Sequence, residues 1–165
     1  MRIHIIGGSG AGKTWLARRL SQKTGAPRWE LDDLFWDNSG AYGQKRPAAD
    51  RDDRLRALLQ QESRIIEGVY HDWVGESFER AGRIILLDPP GWRCGLRVAA
   101  RFLRRKLGLE RGKKESLGSL VRLLCWSHRY RKYELPQIRR ARRAYGDKTV
   151  VLCSKREVKD YLAGC

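Results

Sequence analysis

Eight residues near the start of the chain, Gly7-Gly8-Ser9-Gly10-Ala11-Gly12-Lys13-Thr14, have the types and spacing that hold a phosphate. They fit G-x-x-x-x-G-K-[ST], the phosphate-binding loop. Glycines let successive backbone N–H groups curl around an anion, Lys13 adds a mobile cation, and Thr14 offers a hydroxyl to Mg²⁺. The plain alternative is a glycine turn with a chance Lys-Thr behind it. The flanks weaken that alternative: residues 2–6 read as a short Ile-rich strand, and residues 14–23 read as a helix whose N-terminus would point at the anion. A triphosphate with its Mg²⁺ is the expected ligand.

Asp32 and Asp33 are the next residues suited to chemistry. They follow a short strand expected over residues 28–31, and ligands of parallel α/β sheets bind at the carboxyl edge of the strands. A carboxylate there can bind an acceptor hydroxyl or a water on magnesium, whereas the alternative role is to cap the following segment. The strand-end position favours the first. Trp36, beside them, could stack on an acceptor base, although Trp15, Trp29, Trp36, Trp73, Trp92 and Trp126 are expected mostly in the core. Asp88, ahead of Pro89 and Pro90, reads as a cap for the next helix rather than a metal ligand. His4, His71 and His128 lack ligand spacing and read as structural. Cys94, Cys125, Cys153 and Cys165 form no C-x-x-C pair, so neither a zinc site nor a disulfide framework is expected; reduced thiols packed largely in the core are.

The elements that must carry these residues alternate strand and helix. Pro47 suits the first turn of a helix with Leu55, Leu58 and Leu59 as its buried stripe. Residues 64–68 form a second strand ending in Glu67, residues 73–80 a short helix, and residues 83–87 the clearest buried strand. Over residues 92–107, Trp92, Leu96, Ala99, Leu103 and Leu107 keep the helical spacing of a buried stripe. Arg93, Arg97, Arg101 and Arg104 form a second stripe beside them. Like charges so spaced cost a few tenths of a kcal/mol per pair, so an anion is expected on that face. Residues 108–114 make a polar connection, and Ser116 can cap a helix with Leu117, Leu120, Val121 and Leu124 on one side. Pro136 is expected to start another helix, with Ile138, Ala141 and Tyr145 inward, Arg139, Arg140, Arg142 and Arg143 outward, and Gly146 as its stop. Residues 149–153 form the last strand, and residues 156–162 a terminal helix. The fold class is therefore α/β: five strands in a parallel sandwich with right-handed crossovers, the extra helical material preceding the last strand.

At 165 residues the chain is expected to be one domain. It shows no internal repeat, charged-then-apolar leader or apolar run long enough to span a bilayer, so a cytoplasmic protein with no membrane partner is expected. The formal charge of +16 calls for an anionic partner. Residues 97–143 hold 16 Lys and Arg against Glu110, Glu115 and Glu134, which is 13 of the 16 net charges.

Four runs carry a resemblance: the phosphate-binding loop, Leu31-Asp32-Asp33-Leu34-Phe35-Trp36, Ile65-Ile66-Glu67-Gly68-Val69-Tyr70, and residues 84–90. Together they resemble the adenylate-kinase-like P-loop kinases. More narrowly, with residues 126–133 and 150–158, they are similar to the bacterial topology modulation, or FlaR-like, proteins. The resemblance implies a sheet of order 2-3-1-4-5, a short helical lid (residues 104–132) before the last strand, and transfer of the γ-phosphoryl group of ATP. It implies Glu67 as the carboxylate that orients magnesium's waters, with Thr14 as the other metal-side group. It implies Arg97 and Arg101 near the nucleotide and Arg129 and Arg131 as lid arginines that close on the transferred charge. Lys13, Asp33 and these arginines would then form the catalytic set, with Asp32, Asp33 and Trp36 on the acceptor. Two functions remain open. One is an ATP-dependent kinase of a nucleotide, nucleoside or other small hydroxyl-bearing acceptor; the other is an ATP-binding protein whose basic helices bind nucleic acid nonspecifically. Residues 139–143 also fit a merely solvated face.

Overall fold

The computed structural model describes residues 1–37, 44–109 and 116–164; the side chain of Arg142 also lies outside it. Part of the loop before Pro47, most of the 108–114 connection, Glu110, Glu115 and Cys165 therefore fall outside the described residues. The elements are β1 (Arg2–Gly7), α1 (Lys13–Thr24), β2 (Arg28–Glu30), α2 (Leu31–Phe35), α3 (Ala48–Leu59), β3 (Arg64–Gly68), α4 (Gly75–Arg80), β4 (Arg83–Leu87), α5 (Gly91–Lys106), α6 (Leu117–Arg129), α7 (Leu135–Ala141), β5 (Thr149–Leu152) and α8 (Lys155–Ala163). The five strands pair in parallel in the order β2-β3-β1-β4-β5, the order the resemblance implies.

Strand pleating divides the core into two layers. Ile3, Ile5, Ile65, Ile85 and Leu87 point to one face and pack with Leu16, Ala17 and Leu20 of α1 and with Cys94. Their neighbours Ile6, Ile66, Ile84 and Leu86 point to the other, against Leu31 and Leu34 of α2, Leu55, Leu58 and Leu59 of α3, and Leu135 and Ile138 of α7. Strands covered on both faces read as continuous apolar runs, which is why β1, β3 and β4 were legible. Each fully buried Ile contributes about 1.5–3 kcal/mol. Pairing aligns Glu30 with Glu67, Ile5 with Glu67 and Gly7 with Leu87, so the carboxyl ends of four strands share one edge.

His4 is structural, as expected. It lies in the second layer with Nδ1 2.8 Å from Ser77 Oγ and its ring 4.4 Å from that of Phe78. Burial first, then the Arg64 charge, lowers its pKa from 6.5 to about 3. The unfolded chain therefore takes up a proton that the folded chain refuses. The stability this pair contributes is present above pH 6.5 and is lost as pH falls towards 3, by up to a few kcal/mol. Urea midpoints at pH 7 and pH 4 test this: the His4→Leu/Ser77→Ala chain is expected to lose less between the two pH values than the native chain.

Three expectations about elements are corrected. In α5 the buried line is Cys94, Val98 and Phe102, while Trp92, Leu96, Leu103 and Leu107 are exposed. The first turn of α5 must approach the phosphate-binding loop, and Cys94, flanked by Gly91 and Gly95, permits that where Trp92 and Leu96 would not. Leu117 and Val121 of α6 are likewise exposed, while Leu120 and Leu124 are half-buried, as is Leu123. Pro136 does not start a helix. α6, capped by Ser116 Oγ on the Ser119 amide, runs through a π-turn (Tyr130–Glu134) into α7, and the wider turn accommodates the proline ring in mid-helix. Ala141 is exposed rather than inward, and Gly146 lies inside a 3₁₀ segment (Arg142–Lys148). The tryptophans and cysteines also depart from expectation. Trp15, Trp29, Trp92 and Trp126 are exposed, Trp36 and Trp73 are half-buried, and of the described cysteines Cys94 alone is buried.

Candidate functional site

The phosphate-binding loop leaves β1 at Gly7 and enters α1 at Lys13. Gly10 (φ 73°) and Gly12 (φ 105°) adopt left-handed conformations, and a Cβ on Gly10 would sit 2.5 Å from the Cys94 carbonyl oxygen. The loop is thus pressed against the start of α5. Arg97, one turn further along α5, donates from Nη1 to the carbonyls of Gly10 at 3.1 Å and Ala11 at 3.0 Å. Lys13 folds back with Nζ 3.0 Å from the Gly8 carbonyl. Glu67 shares its strand face with Ile65, the face that packs on α1, and so reaches the helix start. Thr14 Oγ1 donates to Glu67 Oε1 at 2.5 Å.

Burial lowers the Lys13 pKa, and the nearby Arg101 charge lowers it further; Glu67 and Asp32 act in the opposite sense. Burial pushes the Glu67 carboxyl up, the Thr14 hydrogen bond and Lys13 draw it back, and Glu30 and Asp32 raise it again. Arg101 Nε is buried with no hydrogen-bond partner among the described residues. A buried donor without an acceptor, beside a desolvated ammonium at a helix N-terminus, is a site built for an anion. The glycine cradle, Lys13 and Arg101 therefore fit a polyphosphate, and the Thr14–Glu67 pair fits the hard oxygen chemistry of Mg²⁺.

The paired acids separate. β2 ends one residue earlier than expected, and both lie in the first turn of the five-residue α2. Asp32 accepts a hydrogen bond from the Tyr70 hydroxyl at 2.9 Å, and its charge acts on Lys13 and Glu67. Asp33 has Glu30, Asp32 and Arg28 as its charged neighbours; burial first, then the two acids, raises its pKa. Trp36 lies edge-on to Phe35, whose ring stacks on Tyr70. The structure thus brings Lys13, Thr14, Glu67, Asp32, Arg97 and Arg101 to one edge, whereas the charged neighbours of Asp33 are Glu30, Asp32 and Arg28 and do not include Lys13.

A cleft of 210 Å³ opens beside the loop, lined by Gly8, Ser9, Pro89, His128, Tyr130 and Arg131 among others. Arg131 faces it, whereas Arg129 is exposed at the end of α6 and is not part of its lining. No family model matches the sequence, nor does any curated protein. Solved structures do. A shikimate kinase from Acinetobacter baumannii in complex with shikimate superposes with a TM-score of 0.63 at 17% identity, covering 99% of this chain and 89% of that one. A shikimate kinase from Bacteroides thetaiotaomicron (TM-score 0.56, 18% identity, 99% and 95% covered) and a gluconokinase from Sinorhizobium meliloti 1021 (0.55, 17%, 99% and 91%) are similar as well. This is the P-loop kinase fold.

Within the P-loop kinase fold, three groups escape a reading of the sequence. Asp88 does not cap α5, whose N-cap is Pro90. Its buried carboxylate instead accepts from Arg139 (Nε at 3.0 Å, and Nη2) and from Arg131 Nη1 at 3.5 Å, while Arg131 also donates to the Pro89 carbonyl at 2.8 Å. Arg139 is therefore not part of a purely outward face, although Arg140 and Arg143 are exposed. Tyr130 packs over Gly8, with its hydroxyl buried and unpartnered among the described residues. Tyr70 orients Asp32. Asp88 alone carried a sequence signal, its position at the end of a central strand.

Proposed function

We propose that the chain is an ATP-dependent kinase that transfers the γ-phosphoryl group to a small hydroxyl-bearing acceptor. The observation that carries this reading is the meeting, at one sheet edge, of the desolvated Lys13, the Thr14–Glu67 pair, Asp32, Arg97 and Arg101. Phosphoryl transfer needs positioning and charge neutralisation more than covalent help. Lys13, the loop amides and Arg101 bind the donor phosphates; Arg97 holds the loop by its carbonyls. Thr14 and Glu67 hold Mg²⁺, which when bound neutralises charge on the donor. Asp32, oriented by Tyr70, receives the acceptor hydroxyl, a role we assign to it ahead of Asp33, with Trp36 and Phe35 flanking. Arg131 approaches from the cleft, while Arg129 has the weaker claim. At 210 Å³ the cleft holds part of a ligand, and the open edge beside the loop leaves room for the rest.

Neighbours named for kinases of shikimate and gluconate, both small molecules, support this acceptor class. The narrower assignment to the topology modulation type belongs to the same proposal and rests on the sequence runs, and a single domain belongs to it on the length of 165 residues. The test is a screen of hydroxy acids, sugars, nucleosides and nucleotides for acceptor-stimulated ADP release. One acceptor class is expected to raise turnover well above the basal ATPase, and Glu67→Gln to remove the Mg²⁺-dependent part. A basal rate that no acceptor changes would refute the kinase reading.

A further inference from the structure

The face of α5 turned away from the sheet is apolar. Trp92, Leu96, Leu103 and Leu107 are 63%, 62%, 55% and 63% exposed. At i, i+4, i+11 and i+15 they fall within an arc of about 60° and form a row about 22 Å long. α6 packs beside α5, with Leu124 near Gly95, and adds Leu117 and Val121 at 63% and 58% exposure. Single exposed leucines are ordinary, but six large apolar side chains on two adjacent helices are not. The border is cationic: Arg93 and Lys106 on α5 and Arg122 on α6, with no acidic residue in either helix.

We propose that this helical pair is a docking face for the surface of an anionic phospholipid bilayer, on which α5 lies in the interfacial plane. An apolar row with a basic margin and a tryptophan at its end is the pattern of an interfacial helix. Leu96, Leu103 and Leu107 enter the acyl boundary, and the flanking cations meet lipid phosphates. Charge complementarity selects this occupant. A nucleic acid would neutralise the border but leave the leucines in water. A second copy of the chain would cover the leucines but bring two identical cationic borders together in a symmetric interface. Attachment from one side needs no spanning segment, and none of the described helices is long and apolar enough to cross a membrane. The inference does not depend on the kinase reading, because it uses the exposed apolar row of α5 and not Arg97 or Arg101.

Co-sedimentation of the full chain with lipid vesicles tests it. The protein is expected to pellet with phosphatidylcholine vesicles containing phosphatidylglycerol and to stay in solution with phosphatidylcholine alone. Leu96→Ser/Leu103→Ser is expected to weaken vesicle binding roughly tenfold or more at an unchanged thermal midpoint, given the apolar area the two leucines bury. Leu107→Ser/Leu117→Ser provides a second, independent pair should the first unfold, and Arg93→Gln/Lys106→Gln is expected to weaken binding to the anionic vesicles. Vesicle binding that both leucine pairs leave unchanged would overturn the proposal. So would an absence of vesicle binding with salt-sensitive binding to duplex DNA, or a dimer in sedimentation equilibrium that the leucine variants dissociate.

Discussion

Lys13→Ala is expected to lower acceptor-stimulated ADP release roughly 10²–10³-fold or more while the protein unfolds at the same temperature as the native chain or a higher one. The two effects have one cause. Lys13 is the only side-chain cation within the loop sequence, so its removal leaves the donor phosphates to backbone amides and to Arg101. The same side chain is half-buried, and burial depresses its pKa. For a lysine depressed on folding, stability is greatest above its unfolded pKa and declines as pH falls through that value towards the folded one. At neutral pH the folded chain therefore bears the cost of the charge, and alanine removes it along with a hydrogen bond to Gly8. Turnover and thermal midpoint measured on the same samples separate catalysis from folding. Unchanged turnover would sink the assignment of Lys13; a large drop in midpoint would mean that the loop needs this side chain for its shape.

The second large effect is on stability and concerns Asp88. Its side chain is 3% exposed, while those of Arg131 and Arg139 are 34% and 52% exposed. Removal of one partner is therefore not equivalent to removal of the other. In Asp88→Asn the two guanidinium groups lose a counter-ion but regain water, and the expected loss is about 2 kcal/mol. In Arg131→Met/Arg139→Met the carboxylate stays buried without a cation, and the expected loss is about 3–5 kcal/mol. Urea denaturation at pH 7 gives both values. The arginine double variant must be the less stable; the reverse order would show that the buried carboxylate does not depend on these two arginines. Because Arg131 also lines the cleft, both variants are expected to reduce turnover as well.

The corrections have a common character. Asp88 and Arg139 are 51 residues apart, and no local pattern joins them. α5 carries two lines at helical spacing, and the larger, more apolar one is exposed. The row Trp92, Leu96, Leu103 and Leu107 carries larger side chains than Cys94 and Val98, but burial is decided by close approach. A Cβ on Gly10 would sit 2.5 Å from the Cys94 carbonyl oxygen, so the first turn of α5 must present a small residue, Cys94, to the loop. Paired acids look equivalent in a sequence; one residue of helical rotation sends Asp32 to Tyr70 and Asp33 towards Arg28.

The sequence by itself determined the phosphate-binding loop, the five strands and, by way of the family resemblance, their order. Each of these rests on contiguous residues whose spacing encodes a backbone geometry. Tertiary structure alone decided which face of α5 is covered, which carboxylate looks at Lys13, and that Arg131 and Arg139 share Asp88. Those outcomes depend on distances between elements remote in the chain, where packing and charge pairing act through space and leave no periodic mark on the sequence.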